Sequence, residues 1–351
     1  MSDTPRFDGS GLTMLAQRLL QAAGLEHDKA QRVAELLVLG DMMGRHTHGV
    51  ALCPLYLDQI AQGLMATHGQ PEVIADHGST VVWDGRYLPG LWLVDEALNV
   101  AFQRLPQAGM VSIALRRSHH IACLASLVKQ AVDRGYIAIL ASSDPAFGFV
   151  APYGGRQPVF TPNPFAIGYP GTRTPVLVDI SASITTVSMV RQKAAAGEML
   201  AEPWLLDGHG AASRDPRVLE QSDPRGSILL LGGLEYGHKG FGLALMVEAL
   251  TQGLSGFGRK DSEKRWGGSV YLQVIDPEAF AGREAFIATM DDLTARCHAS
   301  APIDETRPVR MPGEQTARNI ARAQAEGVEV APEVVARLRE WAQRLGVDAA
   351  L

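Results

Sequence analysis

The residues best suited to acid–base chemistry are histidines in two short segments. Arg45-His46-Thr47-His48-Gly49-Val50 follows the expected end of a helix, and Ser118-His119-His120 follows an apolar strand. An imidazole held on a glycine-flanked turn can give or take a proton near neutral pH. The His-x-His spacing of His46 and His48 could instead supply two metal ligands. The ordinary alternative is that these side chains cap helices or face solvent. Position after a strand favours one functional histidine in the second pair, because ligands of α/β proteins gather at the carboxyl ends of strands.

A third stretch, Leu231 to Leu250, is a glycine-rich turn running into an apolar helix. Glycines admit close backbone approach, an open helix N-terminus favours anions, and Lys239 adds a cation at that end. Leu243, Met246, Val247, Leu250 and Leu254 recur at helical spacing and predict a buried, rigid helix. The plain reading is a core helix entered through a flexible turn. It is no Walker loop, since His238 stands where the lysine belongs, and glycines 237, 240 and 242 run in the reverse order to a dinucleotide fingerprint. Thr161-Pro162-Asn163-Pro164, Asp179 and Met311-Pro312-Gly313-Glu314 read, one by one, as a turn, a strand-end acceptor and a type II turn.

Ser10 is the expected cap of a first helix carrying Leu12, Leu15, Leu19 and Leu20. A second helix runs from Asp28 toward Gly44, and a third spans Leu55 to Ile60. Strands follow at 72–75 and 80–83, with a helix from Leu91 to Leu105. Met110–Leu115, a helix ending at Gly135, and Tyr136–Leu140 form the clearest βαβ unit, with a right-handed crossover expected. Val176–Ile180 and Ser269–Ile275 are later strands, and 197–226 reads as polar loop. A long helix from Pro277 and an amphipathic one opening at Pro332, with Leu338, Trp341, Ala342 and Leu345 inward, close the chain.

With 351 residues and a formal charge of −6, the chain has room for a large core and no basic patch, which argues against nucleic acid. Cys53, Cys123 and Cys297 form no CxxC pair and imply neither disulfides nor a cysteine metal site. No apolar run approaches the ~20 residues that cross a bilayer. Met1-Ser2-Asp3-Thr4-Pro5 has no signal-peptide character, so a cytoplasmic location is expected.

Taken together and in this order, the segments resemble the malate/L-lactate dehydrogenase family of non-Rossmann, NAD(P)-dependent oxidoreductases. Thr47-His48-Gly49-Val50 resembles its Ser-His-Gly-Val, and Ser118-x-His120 its Asn-Ser-x-His. Ala151-Pro152-Tyr153-Gly154-Gly155 followed by Asn163-Pro164 resembles Pro-x-Gly-Gly … Asn-Pro. Asp179-Ile180-Ser181-Ala182-Ser183, Gly237-His238-Lys239-Gly240-Phe241-Gly242 and Pro312-Gly313-Glu314 complete the set.

The resemblance implies a mixed α/β fold. A central mixed-sheet dinucleotide domain (76–304) would carry a helical substrate-side domain formed by 1–75 and 305–351. It also implies a homodimer, NAD or NADP as cofactor, a small-molecule substrate and no metal. Cofactor contacts are implied at Ser143, Val178, Asp179, Ile180, Ser181, Ala182, Ser183, His238, Lys239, Pro312, Gly313 and Glu314. His48 or His120 would move the proton, with His48 preferred, and Arg45, Thr47, Arg117 and Asn163 would face the substrate.

Four positions depart from the pattern. Leu52 stands where the family often has arginine, Ile121-Ala122 replaces Phe-Gly, Arg117 replaces asparagine, and Val190-Arg191-Gln192 lacks the family's Gly-Lys. They leave the substrate open, with Arg45 or Arg117 as substitutes for the missing charge. Two rivals remain at this stage: a metal-dependent hydrolase using His46, His48 and His120, and a cofactor-binding scaffold without activity.

Overall fold

Helical ends surround a sheet-rich middle in the computed structural model, which describes residues 5–263 and 265–349. A short strand β1 (Arg6–Phe7) leads into α1 (Gly9–Ala22) and α2 (His27–Met42). The cap of α1 is Asp8 rather than Ser10: its carboxylate accepts from the Gly11 N–H at 2.8 Å, while Ser10 already lies inside the helix. A carboxylate both caps and complements the positive helix end, so it outcompetes a hydroxyl two residues on. Helix α3 (Cys53–Ala61) opens with Pro54 in its first turn, where the missing N–H costs nothing.

Next come β2 (Glu72–Asp76), β3 (Thr80–Asp84), α4 (Gly90–Ala108), β4 (Met110–Ser118), α5 (Leu124–Val132) and β5 (Ile137–Ser143). They are followed by β6 (Pro164–Tyr169), β7 (Val176–Ser181) and α6 (Val187–Ala195). The stretch expected as loop holds β8 (Leu205–Leu206) and β9 (Ala212–Ser213), which with β10 (Ser227–Ile228) just beyond it form a small sheet in the order β10-β8-β9. Two-residue strands leave no periodicity to read. Then follow α7 (Gly233–Glu248), β11 (Gly268–Ile275), α8 (Arg283–Ala299), α9 (Glu314–Glu326), β12 (Val328–Glu329) and α10 (Pro332–Leu345). The helix expected from Pro277 begins instead at Arg283, after a single 3-10 turn over Pro277–Ala279.

The main sheet has the order β2-β3-β4-β11-β5-β6-β7. Only β3 and β4 pair in parallel, with α4 crossing between them. The expected β4-α5-β5 unit forms, but its strands do not touch: β11 inserts antiparallel to both. The ends of the chain are tied by β1, which pairs with β12 through Arg6↔Glu329 and Phe7↔Val328.

One core joins the helical ends to the sheet, from Leu12 and Leu37 through Trp92 and Leu115 to Leu338 and Trp341. A second, smaller core gathers Val150, Ala182, Leu205, Ile228 and Ala244 around the start of α7. Among the described residues no helix is long and apolar enough to cross a membrane.

Candidate active site

The first histidine segment is held from below by α2. Asp41, 5% exposed, accepts the Val50 N–H at 2.6 Å and lies 3.3 Å from Nδ1 of His46. A Cβ on Gly49 would fall on that carboxylate, so only glycine allows the turn to close. His46 therefore points back to Asp41 and its pKa is raised by it, while His48 turns the other way. Nδ1 of His48 is 2.9 Å from the Thr47 hydroxyl. Burial, with help from Arg45, pushes the His48 pKa below its usual value.

The second segment leaves β4 and packs against the start of α4. Any side chain at position 90 would collide with the backbone of His119 and His120. His120 comes to rest beside His48, with ring centroids 6.2 Å apart and planes inclined by 28°. Tyr56, fully buried on α3, places its Oη 3.0 Å from His120 Nδ1. Burial drives the Tyr56 pKa upward, so its hydroxyl keeps its proton, and its hydrogen bond with Nδ1 holds the His120 ring in place. Burial, aided by His48, brings the pKa of His120 down to about 3. His119 is buried with both ring nitrogens unpartnered among the described residues, edge-on to Tyr56 and Trp266. Trp266 stacks on His120, with ring centroids 5.0 Å apart and planes nearly parallel.

The other expected residues sort into three groups. Arg45 is exposed and close enough to influence both His48 and Asp179. Arg117 is already paired: with Arg116 it clamps the fully buried Asp84 through Nε contacts of 2.9 Å each, and its Nη2 also meets that carboxylate. Its φ of 50° explains why asparagine, which tolerates the left-handed region, suits this position. Leu52 packs half-buried against the main core. Asn163, also left-handed, is a buried brace whose amide donates to Ala244 O at 3.2 Å and Glu248 Oε1 at 2.9 Å. Ser143 is likewise enclosed, with its Oγ 2.8 Å from Thr251 and 3.0 Å from Gln252 on the π turn after α7.

Along the edge strand β7 the remaining segments converge. Pro312 O accepts the Leu177 N–H at 3.1 Å, and Gly313, at φ +105°, lies so close that a Cβ would stand 2.5 Å from Pro175 O. At the far end, Leu231 N donates to Ala182 O at 2.7 Å, bringing the entrance of α7 beside Ser181, Ala182 and Ser183. Between them, Asp179 accepts the Ala125 N–H at 3.0 Å at the start of α5, while Val178 and Ile180 complete the strand. Glu314 pairs with His298 at 2.8 Å.

Helix α7 departs from expectation in two ways. It starts at Gly233, so His238 and Lys239 lie inside it rather than on the preceding turn. It is also not enclosed: Leu245, Met246 and Leu254 are exposed, and only Gly237, Gly240, Ala244 and Val247 are buried along it. Small residues face the second core at close range, and a Cβ on Gly240 would lie 2.6 Å from Leu231 N. His238 and Lys239 are exposed, with Lys239 Nζ 5.4 Å from the Tyr236 ring.

Sequence reasoning missed Asp41, Tyr56 and Trp266. Tyr56 faces inward at helical spacing from Cys53, a signal of burial only, and Trp266 sits on a loop with no period at all. No group of three or more His, Cys, Asp or Glu among the described residues is arranged to hold a metal.

Against this geometry, a sequence model of malate/L-lactate dehydrogenases matches residues 7–339. The chain belongs to that family. It is an oxidoreductase of the malate/L-lactate dehydrogenase family, and the hydrolase alternative is not favoured. Among its relatives, hydroxycarboxylate dehydrogenase B of Escherichia coli O157:H7 is 27% identical over 336 residues, covering 93% of this chain and 91% of the other. The L-lactate dehydrogenase of Cupriavidus necator is 29% identical over 343 residues, with 95% and 96% covered. The crystal structure of Δ1-piperideine-2-carboxylate reductase from Pseudomonas syringae superposes with a TM-score of 0.84 at 27% identity, covering 97% of this chain and all of that one, 100%.

Proposed function

We propose that the chain is a nicotinamide-dependent oxidoreductase that interconverts a small 2-oxo acid and its 2-hydroxy partner or reduces a cyclic imine carboxylate. The observation that carries this reading is the half-buried pair His48 and His120, 6.2 Å apart, beside the exposed Arg45. The names of the relatives support the substrate class, since they include a hydroxycarboxylate dehydrogenase, a lactate dehydrogenase and a cyclic imine carboxylate reductase.

The residues along β7 fit a dinucleotide. Gly313 lets the backbone of Pro312 to Glu314 lie directly against the strand, and the exposed Lys239 is free to meet a phosphate. Val178 to Ser183, His238, Lys239, Pro312, Gly313 and Glu314 would hold NAD or NADP, which when bound supplies or accepts the hydride. Asn163 and Ser143 act from behind, bracing α7 and the π turn.

Arg45 would pair with the substrate carboxylate, Thr47 would hold the His48 ring, and Arg117 would serve the fold through Asp84. As hydride adds to carbon, the π electrons move to the carbonyl oxygen or imine nitrogen, which needs a proton, and His48 supplies it; in oxidation His48 removes the hydroxyl or amine proton as hydride leaves carbon. Such a positioned group contributes roughly 10²–10⁴-fold. His120, held by Tyr56 and kept neutral by burial, would orient the substrate or polarise its carbonyl. The exposed apolar side chains of α7, and α8 with no buried residue, support a homodimer. A fluorescence titration with NADH and NADPH tests the reading; saturation by neither would reject it, and metal analysis of the purified protein addresses the hydrolase rival.

A further inference from the structure

Arg259, Arg265 and Gly267, neighbours of Trp266 in the chain, are each held by contacts to the rest of the fold. Arg259 donates to Asp144 O at 3.3 Å and Phe147 O at 3.1 Å and pairs with Glu248 at 2.6 Å. Arg265 lies over the Tyr87 ring, 3.3 Å from its centroid, and the Gly267 N–H donates to Asp144 Oδ2 at 3.2 Å. Between those last two anchors Trp266 is laid flat on His120, with 5.0 Å between centroids and 15° between planes. Phe147 meets its ring edge-on at 6.5 Å. Trp266 is only half-buried, so part of the indole stays open beside His120.

The arginines around this wall, among the described residues, are nearly all committed. Arg116 and Arg117 belong to Asp84, Arg259 to Glu248, and Arg265 to Glu263 at 2.9 Å. Among the described residues near the pair, Arg45 is the arginine left without an ion pair. One free guanidinium can satisfy one carboxylate. Among the described residues no further unpaired arginine stands beside the indole and Phe147, so a second anionic group turned that way would lose part of its hydration without a guanidinium to replace it.

We propose that Trp266 is the specificity-determining residue of this site. With Arg45 it selects a monocarboxylate whose remaining chain or ring is apolar, and disfavours dicarboxylates and sulfonated acids. This rests on the nicotinamide-dependent reading above and narrows its substrate class.

The test is steady-state kcat/KM with NADH and NADPH for pyruvate, 2-oxo-4-methylpentanoate, a cyclic imine carboxylate and oxaloacetate. It is run on the wild type, Trp266→Ala and Trp266→Phe, with thermal melts to check folding. In the wild type, 2-oxo-4-methylpentanoate or the cyclic imine is expected to exceed oxaloacetate by at least about tenfold, the scale of a few apolar contacts. Trp266→Ala should cut kcat/KM for the apolar substrates by roughly 10–100-fold, mainly through KM, with little change for pyruvate or in nucleotide affinity. Trp266→Phe should restore most of the loss. Preference for oxaloacetate, or an equal fall for every acid through kcat alone, overturns the inference and leaves the nicotinamide-dependent reading intact. Absence of turnover with every substrate and both nucleotides removes that reading, and this inference with it.

Discussion

Tyr56 Oη lies 3.0 Å from Nδ1 of His120, so a helix near the N-terminus fixes a ring at the end of a strand more than sixty positions away (|i−j| = 64). Removing that hydroxyl leaves the ring nitrogen without its hydrogen-bond partner, a loss of about 1–3 kcal/mol. Tyr56→Phe is expected to lower the melting temperature by a few degrees and kcat by about tenfold, because the His120 ring is no longer held in place. Thermal melts and steady-state rates check both; an unchanged kcat would detach His120 from the chemistry.

Oxidation requires a neutral His48. Burial and, after it, Arg45 lower its pKa, so kcat/KM for the hydroxy acid should fall only as pH drops below the ordinary histidine range. Reduction should weaken as pH rises through the same value. Arg45→Gln takes away the cation, raises the His48 pKa and moves the acid limb to higher pH. A pH–rate series on both proteins measures the shift, and a limb unmoved by the substitution would place Arg45 away from His48 in function.

Arg117 and Arg45 are expected to separate cleanly. Asp84 is fully buried under Arg116 and Arg117, whose charges outweigh burial and hold its pKa down. Asp84→Ala strands two guanidinia and should cost about 3–5 kcal/mol of stability. Arg117→Gln should lower stability while leaving KM within a few-fold. Arg45→Gln should raise KM by roughly 10–100-fold, the worth of a charged hydrogen bond. Denaturant curves beside KM values distinguish the two, and the reverse pattern would give the carboxylate to Arg117.

Gly313 is expected to matter for nucleotide binding rather than for acid–base chemistry. Its φ of +105° and its approach to Pro175 O leave no room for a methyl group. Gly313→Ala should strain the backbone by about 1–3 kcal/mol and push Pro312 to Glu314 away from β7. NADH titration should then show weakened affinity; unchanged affinity would remove this segment from the cofactor path.

Local pattern carried much of the architecture. Runs such as Val176–Ile180 and the spacing of Leu338, Trp341 and Leu345 have one physical reading each, and both elements form. Pairing between distant segments left no such trace. Nothing in Met110–Leu140 announces that residues 268–275 will insert between its two strands. The apolar run of α7 suggested enclosure because hydrophobicity cannot say whether a partner lies within the same chain. In the site, His48 and His120 were legible by type and position. Arg117 looked free because nothing in the local sequence pairs it with Asp84, its counter-ion on a different strand. Trp266 could not be found: an aromatic on an aperiodic loop has no address until the fold brings it to His120.

The most direct test follows reduced nicotinamide consumption by the wild type and His48→Ala with both nucleotides and a panel of 2-oxo acids and cyclic imine carboxylates. The expected result is consumption with at least one pairing, a fall of roughly 10²–10⁴-fold in the variant, and nucleotide affinity nearly unchanged. Equal rates in the two proteins, or no consumption with any pairing, would contradict proton transfer by His48 at this site.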